Sequence, residues 1–124
     1  MTETVINFVS LAIFTIALCT GQVLFKHLGL AMRGQPVLEG MLALTRQPAL
    51  YAVLTIYGLA TLLWIWIVSR VPLMRAYPWV ALGTGLVPLM GWYFFGERVA
   101  PMFWLGLAFI LVGMFLTQYA NSTS

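Results

Sequence analysis

Charged residues occur only at positions 3, 26, 33, 39, 46, 70, 75, 97 and 98 of the 124-residue chain. They leave four uncharged runs, at about residues 5–25, 49–69, 76–96 and 99–120. A transmembrane helix needs roughly 20 mostly apolar residues, and each run meets that length. The runs are continuous rather than alternating, which favours helices over a barrel. Hydrophobic residues make up 62% of the chain and charged residues 7%, against about 25% charged in an ordinary soluble domain. Such an inventory cannot cover a water-facing surface. The expectation is an all-α membrane protein: one four-helix transmembrane domain over residues 1–124, with an interfacial loop at 28–48.

The same inventory excludes several functions. The net charge is only +3, and no basic stripe with interleaved aromatics is present, so nucleic acid is not an expected partner. Cys19 stands alone inside an apolar run. It cannot form an intramolecular disulfide or a zinc site and reads as a small packing residue. The start Met-Thr-Glu has no basic n-region, so no cleavable signal peptide is expected. No base–nucleophile pair or metal cluster can be assembled, so neither enzymatic activity, a cofactor nor a metal is expected.

Along the chain, the first span ends in Gly21-Gln22-Val23-Leu24-Phe25-Lys26-His27. The Gln22 amide needs partners at membrane depth. It either joins two helices by a hydrogen bond or lines a polar cavity, and both readings stand. Lys26 is placed to snorkel to the interface, and His27 reads as interfacial. The loop reads as an interfacial connector, with a flap over a headgroup as its functional alternative. Within it, residues 36–44 form a candidate short amphipathic segment. The second span is rich in aromatics and carries a small patch at Gly58 and Thr61.

Arg70 to Trp79, with Pro72 and Pro78, reads as a short polar hinge. In the third span, Gly83, Gly85 and Pro88 predict a kinked helix, because Pro88 lacks the N–H its turn requires. Glu97-Arg98 reads as a second tight turn with an interfacial ion pair or two solvated charges. In the last span, Gly106 and Gly113 lie seven residues apart on one face, a candidate helix-pairing stripe across a dimer.

Taken in order, Gly21-Gln22…Lys26, Val71-Pro72…Ala76-Tyr77-Pro78, Phe94-Phe95-Gly96-Glu97-Arg98-Val99 and Gly106…Gly113 resemble the small multidrug resistance transporters of the drug/metabolite transporter superfamily. Within that group the chain is most similar to the small flippase subunits that move aminoarabinose-phosphoundecaprenol across the bacterial inner membrane. The similarity spans about residues 10 to 117. Cation-exporting members carry a glutamate about one turn before the glycine of the first motif, and here that position is Leu18. They also carry a neutral residue where this chain has Arg75. A proton-coupled exporter needs an ionisable group inside the membrane, and the four spans hold none.

Gln22, Lys26, Arg75 and Tyr77 are therefore the candidate substrate-binding residues, suited to an anionic, hydroxyl-bearing ligand such as a polyprenyl-phosphate-linked sugar. Arg75 reads equally as a snorkelling arginine at a helix end. The resemblance implies transport of such a lipid across the inner membrane. It also implies an antiparallel dimer with a second copy or a sibling subunit. Export of small cations or polyamines, and a scaffold for a glycosyltransferase, are the alternatives. Four spans place both termini on one side with Arg70 and Arg75, opposite Lys26, Arg33, Arg46 and Arg98.

Overall fold

The computed structural model describes residues 1–123, and within them the chain forms five α-helices: α1 (Thr2–Met32), α2 (Val37–Leu44), α3 (Pro48–Val68), α4 (Leu73–Phe95) and α5 (Pro101–Thr123). α1 lies between α3 and α4, and α5 packs on α4. Glu3 at the start of α1 meets Arg70 beside the start of α4. Asn121 near the end of α5 donates to the Met74 carbonyl. Both ends of the described chain therefore lie at one end of the bundle, the hinge end. Lys26, α2 and the α4–α5 turn mark the other, the loop end.

α1, α3 and α5 are long and apolar enough to cross a membrane. α4 has the length, at 23 residues, but its prolines, glycines and Trp/Tyr residues dilute its hydropathy. Much of the outer surface is apolar, from Val5, Phe8 and Ile16 on α1 to Phe109 and Phe115 on α5. Water-soluble monomers rarely expose large contiguous apolar patches. Hydroxyls within the helices are absorbed locally. Ser10, Thr15, Thr20, Thr55, Thr61 and Thr84 each donate to the carbonyl four residues back. This leaves helices intact in a solvent that offers no partners.

Three boundaries differ from the sequence expectation. α1 runs on to Met32 because Leu28 to Met32 contain no stop. The chain breaks only at Gly34, with φ +82°, and Pro36. The connection is shorter than 28–48 and is itself structured. α2 covers the expected short segment, its Gly40 lying against the Met32 side chain. The hinge is also narrower than Arg70 to Trp79. Pro72 is the N-cap of α4, so Arg75, Tyr77, Pro78 and Trp79 sit in its first two turns.

Pro78 has no N–H to give the Met74 carbonyl. Asn121 Nδ2 donates to that carbonyl instead, at 3.0 Å, and Gln118 Nε2 donates to the Arg75 carbonyl at 3.1 Å. Two amides of α5 thus serve the turn that the proline disturbs, which fixes α5 to α4 at this end. Nearby, Leu11, Phe14, Ala60, Ile67, Val71 and Ala76 form the apolar core, backed by Leu18, Leu63, Trp64 and Trp79. The core fills the hinge-end half of the bundle.

Candidate functional site

At the loop end α1 and α4 do not fill the space between them. A cavity of about 630 Å³ opens there, lined by Gln22, Lys26 and Gly29 of α1, by Arg33 at its C-cap, by Pro88, Gly91 and Phe95 of α4, and by Glu97. Gln22, Lys26 and Gly29 follow steps of four and three, so they form one stripe along the helix, and Arg33 stands four residues further on, where the chain leaves the helix in extended backbone. Two cations and one carboxylate line the cavity, leaving one net positive charge.

Gln22 does both things its sequence allows. Its Nε2 donates to Tyr57 Oη at 2.9 Å, joining α1 to α3, and its side chain lines the cavity. That bond uses one amide hydrogen; the amide oxygen and second hydrogen have separate bonding capacity. Gly21 makes the join possible, since a Cβ there would overlap the Tyr57 ring. Phe25 also packs on that ring, tilted against it with centroids 5.0 Å apart.

Lys26 Nζ lies 3.0 Å from Glu97 Oε1, with both side chains a little under half exposed. Glu97 reaches it because of two glycines. Gly96 ends α4 in the left-handed region, with φ +64°, and turns the chain back over the helix. Gly91 leaves the room: a Cβ there would come within 2.5 Å of Glu97 Oε2.

Arg75 and Tyr77 lie at the opposite end. Along α4, Arg75 and Gly91 are 16 residues apart, about 24 Å at the helical rise. Tyr77 is edge-on to Trp64, with centroids 5.7 Å apart, and Trp64 stacks on Phe14 at 4.7 Å. Arg75 is exposed. The four candidate binding residues therefore form two pairs, one at each end, rather than one site. Gly83 and Gly85 have a packing task. A Cβ at Gly85 would come within 2.7 Å of Leu107 on α5, and one at Gly83 would touch Thr15 on α1. α4 is continuous through Pro88. Gly106 and Gly113 have no neighbour within 4 Å of an added Cβ, so this stripe faces away from the rest of the chain.

Sequence reasoning missed Glu97, Tyr57 and Gly91. Tyr57 and Gly91 carried no local signal. Glu97 did: the first and third long helices both run from the hinge end to the loop end, so their C-terminal ends lie together and Lys26 and Glu97 were opposite charges at one end of the bundle. Reading Glu97 with its neighbour Arg98 hid that pairing. A second cavity, of about 500 Å³, lies on another side of the α1–α4 pair. It is almost wholly apolar, with Thr15, Ile16, Cys19, Leu89, Met90 and Trp92 among its lining.

The fold and the cavity define a small helical membrane protein with a charged recess at one end. The chain belongs to the Small Multidrug Resistance protein family, which matches residues 38–110. Among its relatives is a protein of Pseudomonas savastanoi pv. phaseolicola, 38% identical over 78% of this chain and 83% of the relative. A Pseudomonas syringae pv. syringae protein is 35% identical over 78% and 86%, and an Aeromonas salmonicida protein 33% identical over 79% and 84%. All three are named as probable 4-amino-4-deoxy-L-arabinose-phosphoundecaprenol flippase subunits, ArnE. No solved structure matches the chain.

Proposed function

We propose that this chain is a transporter subunit, not an enzyme, and that it translocates a polyprenyl-phosphate-linked sugar across the bacterial inner membrane. The observation that carries the reading is the cavity lining of an amide and two cations, Gln22, Lys26 and Arg33. No carboxylate lies inside the helices at membrane depth to bind a cationic drug, and the one that lines the cavity, Glu97, is paired with Lys26. The names of the relatives support the substrate class. Lys26 and Arg33 hold the phosphate while the Gln22 amide meets a sugar hydroxyl. The polyprenyl tail stays in the lipid.

In this reading the whole chain is one domain with four spans, formed by α1, α3, α4 and α5. α2 lies in the interface. α4 bends near Pro88, where the Thr84 carbonyl loses its N–H partner. Arg75 and Tyr77 meet the headgroup at the opposite membrane face. The chain works as an antiparallel dimer, with a second copy or a sibling subunit, through the Gly106–Gly113 face of α5. The test is translocation of a fluorescent polyprenyl-phosphate sugar in proteoliposomes carrying this chain, alone or with a sibling subunit. Lys26→Gln should abolish movement. Unchanged movement in Lys26→Gln would overturn the cavity assignment, and unchanged movement in Arg75→Ala would remove Arg75 from the path.

A further inference from the structure

The second cavity plays no part in the proposed transport. It measures about 500 Å³ and is bounded by residues 15–20 of α1 and 86–94 of α4, the latter spanning about 12 Å at the helical rise. Its cause lies in the side chains. α4 comes close to α1 at Gly83, where an added Cβ would lie 3.7 Å from the Thr15 methyl. One turn further toward the loop end, α1 brings only the small Cys19 and Thr20 to this side beside Ile16, and Leu86, Leu89 and Met90 of α4 leave the gap open.

The lining decides what chemistry fits. Thr15 Oγ1 donates to the Leu11 carbonyl and Thr20 Oγ1 to the Ile16 carbonyl, so both hydroxyl hydrogens are used within α1. The lining, among the described residues, holds no charged side chain. An apolar recess of this kind stays dry, and left empty it deprives its walls of dispersion contacts. Hydrocarbon is the filler that restores them. Ile16, Trp92, Tyr93 and Phe94 line the recess and are also exposed, so its mouth opens outward. Trp92 and Tyr93 stand within five residues of Glu97 at the loop end, the depth at which amphipathic rings meet lipid headgroups. Val87, Pro88, Gly91 and Phe95 border the charged cavity, whereas Leu86, Leu89, Met90 and Tyr93 border this one. The same stretch of α4 stands between the two, so the second recess fills from the surrounding bilayer and not from the first.

We propose that this recess is a binding site for one fatty acyl chain of a bilayer phospholipid, seated between α1 and α4 with its glycerol end at the Trp92–Tyr93–Phe94 rim. The chain occupies the space that Cys19 and Thr20 leave, and so sets the spacing of the two helices at mid-membrane. The site stands independently of what the charged cavity carries.

Native mass spectrometry of the full chain, extracted from its membrane in a mild detergent, tests the site. Wild type should retain one phospholipid per chain. Cys19→Phe, which fills the recess, should cut that retention about tenfold. Ile13→Phe, which adds an aromatic ring at an exposed position of α1 outside the recess, should leave it unchanged. A second measurement needs no substitution. In nanodiscs of a phospholipid with a diazirine midway along one chain, crosslinks to residues 15–20 and 86–94 should exceed those to the exposed stretch 109–116 of α5 by about fivefold. Retention of no lipid by wild type, equal retention by Cys19→Phe, or crosslinks that merely follow exposure would overturn the site. Retention of a polyprenyl lipid in place of the phospholipid would overturn its assignment.

Discussion

The two ends of the bundle are built from the same helices but treat their charges in opposite ways. At the hinge end, Arg70 pairs with Glu3 at 3.2 Å and lies over the Trp66 ring at 4.8 Å. Beneath it the core is filled, with Ile67 0% exposed, and aromatic contacts run from Phe8–Trp79 to Phe14–Trp64–Tyr77. At the loop end the second ion pair, Lys26–Glu97, lies against a cavity instead of a core. A pair over a filled interior can only brace it. A pair beside a cavity can be exchanged for a ligand. The difference lies in what is underneath, not in the pair.

The comparison can be broken most sharply at the two cations. In proteoliposome translocation, Lys26→Gln should cut the rate at least about 30-fold, and Arg70→Gln should stay within about threefold. Equal losses would mean that the two pairs do the same job. Stability should separate the halves in the reverse sense. By thermal unfolding in detergent micelles, Ile67→Ala should cost about 2–3 kcal/mol, a packing loss. Leu89→Ala, in the lining of the second, apolar cavity, should cost less than about 1 kcal/mol. Similar costs would show that the loop-end half is packed as tightly as the core.

The remaining two tests address single joins. Gly21→Ala should cost about 1–3 kcal/mol by forcing the Tyr57 ring aside, with loss of the Gln22–Tyr57 bond visible as changed tyrosine fluorescence. An unaltered spectrum would count against that contact. Smallest of all, Asn121→Ala should lower stability by about 1 kcal/mol or less. No change in hydrogen exchange at the first turns of α4 would argue that the Met74 carbonyl needs no help.

Much of the fold was legible because charge is so sparse: the four uncharged runs became the four long helices. Their ends were less so. Lys26 seemed to end the first helix, yet a helix may carry a charge at its wet end and continue, and only Gly34 and Pro36 stopped it. Pro78 looked like part of a hinge because a missing N–H is costly when no partner exists. The partner came from Asn121, 43 residues further on, where local reading could not see it. Gln22 and Lys26 were readable as neighbours because they are one turn apart on one helix. Arg75 was grouped with them by chemistry, although an antiparallel hairpin had already placed it at the far end.

The amides of α5 that serve the carbonyls around Pro78 also form one end of a strap. Farther along the helix, Leu107 lies against Gly85 and Trp104 is edge-on to Trp92. From Gln118 to Trp104 is about 21 Å, so α5 is tied to α4 over most of its length, and the face that carries Gly106 and Gly113 is left bare.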